Sequence, residues 1–443
     1  MPGKGADKAA LAKFHSAHHA SVVGRFSGIR GLEILSIPTD VAVERLVAEY
    51  QRSGLVEFAE PDYLGHTATT PNDPRYVDGT LWGLNTIDAP HGWDVQASAS
   101  NILVAVLDTG VRYTHDDLAS NMWVNPNDGS HGLNVLAGTT DPNDDAGHGT
   151  MVAGVLGAVG NNGKGVVGVA WKVQIMACKC FNSSGVGAIS DVVTCLDYAQ
   201  TNGARLINAS WGFNPDSQAL SNAVLSVRDA GIIVVAASGN SATNIDLNPS
   251  WPASYHFDNI VSVAYTTRSD TLAAPSNFGP TSVHLAAPGE QIYSTIGFTG
   301  APSDSLYAQN SGTSFSAPYV TGALALMLAK FDTESYQMII GRLFTATDAL
   351  PSLAGKCTTG GRLNLRNALD PPIRLKAVSS GGGPFQLHVS AAPNFACTVQ
   401  ISTDFAGWTP IFTNTTSTNG TFDFTDYGST NQVRRFYRAV SAP

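Results

Sequence analysis

The chain has 443 residues, which is too long for one ordinary domain and predicts two or three. It is 43% hydrophobic and 14% charged with 44 glycines, a composition of packed globular units and tight turns that excludes a disordered or coiled-coil protein. The formal net charge of −10 argues against a nucleic-acid partner and an anionic membrane surface, and no apolar run reaches membrane-spanning length.

Residues 1–66 read as a first small unit. Asp7 to Phe26 looks helical, Leu32 to Pro38 alternates like a strand, Asp40 can cap a helix running through Gly54, and Val56-Glu57-Phe58 closes the unit as a strand. The polar, turn-rich segment from Gly65 to Asp73 then reads as an exposed linker that a protease could cut. The start, Met-Pro-Gly-Lys, carries no secretory signal, so the protein is either intracellular or its export signal lies outside this chain.

Residues 67–370 repeat the order strand, then helix. Strands are predicted at Ile102–Leu107, Val173–Cys180, Arg205–Ala209, Gly231–Ala236 and Asn259–Ala264, and helices at Gly149–Ala158, Ser190–Thr201, Ser217–Ala230 and Ser314–Lys330. The strands are near-continuous Val/Ile/Ala runs, as expected for burial on both faces. This predicts an α/β fold with a doubly wound, mostly parallel sheet and chemistry at the carboxyl ends of its strands. Pro371-Pro372 ends the pattern. Residues 371–443 read as a linker with a flexible stretch, Ser379 to Gly383, and a small antiparallel β domain with strands Phe385–Val389, Cys397–Ser402, Thr421–Phe424 and Arg435–Val440. That domain is either a binding or attachment module or a stabilising cap.

Four short stretches carry chemistry, three of them supplying one reactive side chain each. Asn310-Ser311-Gly312-Thr313-Ser314 is a small-residue turn that delivers the Ser314 hydroxyl to the start of a long apolar helix, with Pro318 in its first turn. Val104 to Leu107 ends a buried strand with one carboxylate, Asp108, and Gly147-His148-Gly149-Thr150 opens another helix with one imidazole. Each alone is more often structural than catalytic. Together they supply what a serine nucleophile needs: a base, His148, to take its proton, and a carboxylate, Asp108, to hold the base. Val234 to Gly239 ends a further strand at Asn240, whose side-chain amide can donate to an oxyanion beside the Ser314 N–H.

With Val-Leu-Asp-Thr-Gly at 106–110, Gly-His-Gly-Thr at 147–150, Ala-Ser-Gly-Asn at 237–240 and Gly-Thr-Ser-Phe-Ser-Ala-Pro at 312–318, the chain resembles the subtilisin-like (subtilase) serine proteases from about Pro71 to Leu369. Asp, His, Ser is that family's triad order. The resemblance implies an endopeptidase with an acyl-enzyme at Ser314, partners Asp108 and His148, and oxyanion donor Asn240. It further implies that Ser210, Trp211 and Gly212 pair with extended substrate. Ala237, Ser238 and Gly239 would form one wall of the primary pocket and Ser250 its base. No charge is evident there, which suggests broad apolar or neutral preference.

A structural Ca²⁺ is implied as well. It would be held by Asp73, Asp117 and Asn162 side chains and by Val159, Lys164 and Val166 carbonyls, hard oxygen donors that suit this ion. His284 stands where the family's second cation site has an acid, so no second site is expected. Phe315 replaces the methionine that follows the nucleophile in many relatives, and Met151 replaces a second histidine.

The first unit resembles the family's inhibitory propeptide, most closely at Val56 to Tyr63, although the usual opening strand is missing. It implies a zymogen that processes itself between about Tyr63 and Pro71, with inhibition weakened if the unit is shortened. The expected enzyme is a secreted or periplasmic monomer that acts on polypeptides. The alternative is a non-catalytic binding protein on the same fold, with the C-terminal β domain as its working part. Of the five cysteines, Cys178, Cys180 and Cys195 read as small buried hydrophobes, and a Cys180–Cys195 bridge is left open.

Overall fold

The computed structural model describes residues 2–3, 7–26, 28–29, 31–38, 41, 43–62, 69–379, 384–391, 394–403, 405, 407–417, 420–431 and 434–442. A nine-stranded sheet lies at its centre. In spatial order its strands are Asp348–Ala349, Gly361–Arg362, Leu285–Pro288, Ile260–Thr266, Ile233–Ala237, Leu206–Ala209, Ser98–Asp108, Lys172–Lys179 and Gly132–Asn134. All neighbours pair in parallel except the first two.

The strand leading to Asp108 shows why the runs are continuous rather than alternating. Val104 and Val106 join one core, with helices His148–Gly157 and Thr313–Lys330; Leu103, Ala105 and Leu107 join the other, with helices Ile189–Thr201 and Gln218–Asp229. Both faces are covered, so both must be apolar. Helix Thr313–Lys330 is buried from Phe315 through Leu328, which explains its unbroken apolar sequence. The five predicted strands and four predicted helices of this region all form. Short edge strands, the hairpin Ile292–Ile296/Leu306–Asn310 and helix Tyr336–Thr345 were not anticipated.

The first unit differs from its expectation. Asp7 to Phe26 is not one helix: Asp7 caps helix Lys8–Ala17, and Ser21–Phe26 is a strand paired antiparallel with Leu32–Ser36. β-Branched Val22 and Val23 and the turn at His18-His19 end the helix early. The second helix spans Val43–Arg52; Asp40 lies outside the described residues. Val56-Glu57-Phe58 forms no strand. Val56 makes a single antiparallel bridge to Pro2, beside a bond from Gly3 N to Leu55 O. Leu11, Leu46 and Tyr50 form a core of their own, in which His15 Nδ1 meets the Tyr50 hydroxyl at 2.6 Å.

At the other end, strands Arg374–Ser379, Phe385–Ser390 and Thr421–Asp426 form one antiparallel sheet, and Thr409–Thr415, Ala396–Ser402 and Phe436–Ser441 a second. They close on Leu387, Val389, Cys397 and Val399. Two of the six strands, Arg374–Ser379 and Thr409–Thr415, were not predicted, and most of the expected flexible stretch lies outside the described residues. All five cysteines are free and buried. Among the described residues no helix is long and apolar enough to cross a membrane.

Candidate active site

Asp108, the last residue of its strand, and His148, the first of its helix, are brought together by close backbone packing. A Cβ on Gly149 would lie 2.1 Å from Gly110 O, so only glycine lets the helix start this near the strand end. His148 Nδ1 is 2.7 Å from Asp108 Oδ1, which also accepts from Thr109 N at 2.7 Å. A carboxylate can only accept, so the imidazole proton sits on Nδ1 and Nε2 is left free to accept a proton. Burial disfavours the charged ring. The Asp108 carboxylate, with Asp144 beyond it, outweighs that and holds His148 above the ordinary imidazole value.

Asp144 is fully buried and was missed in the sequence. Its Oδ1 accepts from Thr109 Oγ1, Ala146 N and Gly147 N, and its Oδ2 from Thr150 N and Thr150 Oγ1. It satisfies otherwise orphaned donors at the start of the histidine helix. An acid four residues before a helix that opens on Gly-His-Gly is the signal that could have found it. Lys179 was also missed. Its buried ammonium donates to Thr109 O (2.7 Å), Phe181 O (2.9 Å) and Asp145 Oδ1 (2.7 Å), clamping the residue after Asp108. A charge at the carboxyl end of the strand 172–179, directly after Ile175-Met176-Ala177-Cys178, was its trace.

Ser314 lies in the first turn of its helix, where backbone N–H groups have no helical partner. Its hydroxyl donates to Ser210 O at 3.1 Å, and Ser210 Oγ donates to Ser314 O at 2.9 Å. The hydroxyl has one proton, so in this resting geometry that proton is not directed at His148. Asn240 is held from the Ser314 side: its Oδ1 accepts from Thr313 N (2.9 Å) and Thr313 Oγ1 (3.1 Å), which leaves the amide Nδ2 to donate elsewhere. Phe315 is 2% exposed, its ring 5.7 Å from that of His148.

Around this centre the strand Leu206–Ala209 continues as Ser210-Trp211-Gly212 without a sheet partner, and the backbone N–H groups of Trp211 and Gly212 have none among the described residues. Trp211 is half-buried, donates from Nε1 to Leu107 O and packs against Phe181 and Phe213. A Cβ on Gly212 would meet Ser250 Oγ at 2.6 Å, which brings these two together. Ala237 and Ser238 are buried at the end of strand Ile233–Ala237, with Gly239 next in the chain.

The residues expected at a cation also converge. Asp73 and Asp117 are both fully buried. Asn161 N donates to Asp73 Oδ2 (2.7 Å), whereas Asp73 Oδ1 is buried without a partner. Asp117 accepts from Asn162 Nδ2, Val166 N and the Tyr307 hydroxyl, and its backbone carbonyl accepts from Val159 N. Tyr307 had no signal in the sequence. The Asn162 carbonyl oxygen accepts from Lys164 N at 2.8 Å. Burial, with Asp117 as a lesser cause, pushes Asp73 up to about 6. A buried carboxylate with an orphaned oxygen beside a second carboxylate is a donor set that fits a hard cation. At His284, Nδ1 accepts from Ser262 N and burial pushes the ring down to about 4.

Comparison with known proteins agrees with this architecture. The Subtilase family profile matches residues 99–365, more than half of the chain. The chain is 38% identical over 288 residues to a thermophilic serine proteinase of Bacillus sp. (strain AK1), covering 65% of this chain and 67% of that one. It is 36% identical over 261 residues to thermitase of Thermoactinomyces vulgaris, covering 59% of this chain and 86% of that one. Among solved structures, a protease from Pseudoalteromonas arctica aligns with a TM-score of 0.58 at 29% identity, over 68% of this chain and 99% of that one. The chain therefore belongs to the subtilase family and is a subtilisin-like serine endopeptidase acting on polypeptides.

Proposed function

We propose that Asp108, His148 and Ser314 are the catalytic triad, and the 2.7 Å bond from His148 Nδ1 to Asp108 carries this reading. Rotation of the Ser314 hydroxyl away from Ser210 O turns its proton toward His148 Nε2. Ser314 Oγ then attacks the substrate carbonyl while His148 takes the proton, and the imidazolium is stabilised by Asp108. The tetrahedral oxyanion accepts from Asn240 Nδ2 and Ser314 N at the positive end of the long helix. His148 returns the proton to the leaving amine, which gives the acyl-enzyme, and water activated by the same base releases the product. Extended substrate pairs with the open edge at Ser210-Trp211-Gly212, a strand-addition mode. The primary pocket is formed by Ala237, Ser238, Gly239 and Ser250. None of these is charged, which supports broad apolar or neutral specificity.

The Ca²⁺ reading rests on the orphaned Asp73 oxygen. Asp73, Asp117 and Asn162, with carbonyls of Val159, Lys164 and Val166, would hold the ion, whose charge would compensate the two carboxylates and pin the loop Asn161–Val166. Residues 1–66 act as a propeptide-like inhibitor and folding aid; their separate core supports this. Residues 67–370 are the catalytic domain, and 371–443 a linker and β module. Processing falls between about Tyr63 and Pro71, a stretch of which residues 63–68 lie outside the described part. The enzyme is exported and works as a secreted or periplasmic monomer.

The test is treatment of the protein and its Ser314→Ala variant with a fluorophosphonate, followed by intact mass after incubation with calcium. Labelling of the wild type alone, with loss of the N-terminal unit, is expected. A folded wild type that stays unlabelled and uncleaved, and is still unlabelled once residues 1–66 are removed, would sink the reading and favour a binding protein; labelling after that removal would mark a stalled zymogen.

A further inference from the structure

Asn240 stands in a loop, Ser238–Thr243, that follows the strand Ile233–Ala237 and has no regular structure of its own. Thr313 fixes the side chain of Asn240 from one side only. The loop behind it is tied to a distant segment, where Pro275 O accepts from Ala242 N and Phe278 N donates to Thr243 O, and to Thr313 Oγ1, which accepts from Gly239 N; the largest set of bonds comes from one side chain in that segment, Asn277, which is 6% exposed. Asn277 Oδ1 accepts from Ser241 N (2.9 Å) and Thr243 N (3.0 Å), and its Nδ2 donates to Ser238 O (2.9 Å). Its backbone N donates to Gly239 O (2.8 Å), and Ser238 Oγ donates to its carbonyl (3.2 Å). These bonds reach residues on both sides of Asn240. Gly239 has φ +106°, and a Cβ there would lie 2.4 Å from Asn277 Nδ2, so the loop backbone lies flat on the carboxamide.

Only a short carboxamide meets this demand. It presents an acceptor with two lone pairs and, in the same plane, a donor. An aspartate at this position could still accept from Ser241 and Thr243 but would set an oxygen against Ser238 O. An alanine would leave three backbone groups without partners.

We propose that Asn277 is a positioning residue for the transition state. It locks the loop so that the Asn240 amide keeps its place relative to Ser314 while charge develops. Preorganisation is where oxyanion donors gain their effect, and a misplacement of about 1 Å can cost on the order of 10²-fold in rate. The proposal rests on Asn240 being the oxyanion donor, and the experiment separates the two.

The experiment measures kcat and KM of the mature enzyme on a peptide substrate for Asn277→Asp, Asn277→Ala, Asn240→Ala and the Asn240→Ala/Asn277→Ala double variant. Competent sites are counted by end-point labelling with a fluorophosphonate, so a merely less stable protein is corrected for. The affinity of a peptide boronate, which forms a tetrahedral adduct, is measured in parallel. Asn277→Asp keeps the size and two of the three side-chain bonds and carries the test if Asn277→Ala does not fold. The expected result is a loss of about 10- to 100-fold in kcat per competent site, with KM changed less than about 3-fold and boronate affinity falling with kcat. On the Asn240→Ala background, Asn277→Ala should cost less than about 3-fold more, because the donor it positions is gone. Wild-type kcat per competent site in Asn277→Asp, or a full loss repeated on the Asn240→Ala background, overturns the proposal. Full activity in Asn240→Ala would instead overturn the oxyanion reading and the proposal with it.

Discussion

Two pairs of buried groups in this molecule invite comparison. Asp108 and Asp73 are both carboxylates with almost no exposure, 2% and 0%, yet their surroundings ask different things of them. Asp108 faces an imidazole, a partner that can become a cation when the reaction requires one. Asp73 faces a second carboxylate, Asp117; each of the two acids keeps one buried oxygen without a partner, Asp108 Oδ2 and Asp73 Oδ1, so the neighbouring group is what differs. Burial disfavours charge at both positions. On the proposed reading the chain itself supplies the opposing charge at Asp108, transiently, and a bound cation would supply it at Asp73. The lesson is that depth alone does not assign a role to a buried acid, and its partner does.

The largest expected effect breaks the first pair. Asp108→Asn keeps the shape but presents a donor to His148, which favours the wrong tautomer, and kcat should fall about 10⁴-fold. The pH profile sharpens the same point. His148 must be neutral to act as base, and Asp108 holds it above the ordinary value of 6.5, so kcat/KM of the wild type should fall on the acid side with a midpoint above that value. The residual activity of Asp108→Asn should have its acid midpoint shifted down. An unshifted midpoint would mean that another group sets the limb.

The second pair should show itself in stability. Removing calcium with EDTA at pH 8 should lower Tm by about 5–10 °C relative to saturating calcium, read by differential scanning calorimetry. The sign with pH follows from Asp73. Its folded value, about 6, is above the unfolded 3.8, so in the metal-free protein its contribution is favourable below 3.8 and is lost as pH rises through about 6. A cation needs the charged form, so the calcium-dependent gain in Tm should be full above pH 7 and shrink as pH falls through about 6. Asp73→Asn should flatten this dependence. An equal Tm with and without EDTA at pH 8 would remove the cation from the account of this site.

Much of this was legible because the chemistry is concentrated in short stretches. Asp108 ends a strand, His148 and Ser314 stand at the starts of helices, and Asn240 follows a strand three residues on; the apolar runs of these elements are visible in the sequence, and the sheet and helices formed where those runs lie. The first unit was harder. Ala-rich Lys8–Ala17 and Val-containing Ser21–Phe26 adjoin without Gly or Pro between them, and only tertiary pairing with Leu32–Ser36 settles the second as a strand. Asp144, Lys179, Asn277 and Tyr307 were missed for a common reason. Each acts largely through backbone groups or partners far along the chain, of which the sequence keeps at most a faint trace, such as the acid before Gly-His-Gly at Asp144 or the charge that ends a strand at Lys179. The Ser314 proton on Ser210 O was likewise invisible, since motif spacing says nothing of rotamers.

The smallest expected effect concerns oxidation. Many subtilisin-like enzymes carry methionine after the nucleophile, where a sulfoxide would add a polar, bulkier group beside the oxyanion. Here Phe315 fills that place, and the methionines nearest in role are shielded: Met151 is 3% exposed, Met122 6%, Met176 and Met327 0%. Met338 is half-buried on helix Tyr336–Thr345 and should oxidise before these four. Hydrogen peroxide that converts Met338, followed by peptide mass mapping, should therefore leave kcat within about 2-fold of the untreated enzyme. Phe315→Met should restore sensitivity, because it returns an oxidisable sulfur to within reach of the reacting carbonyl. If the wild type loses activity while Met151 remains unmodified and the fold is intact, the shielding argument at Phe315 is wrong.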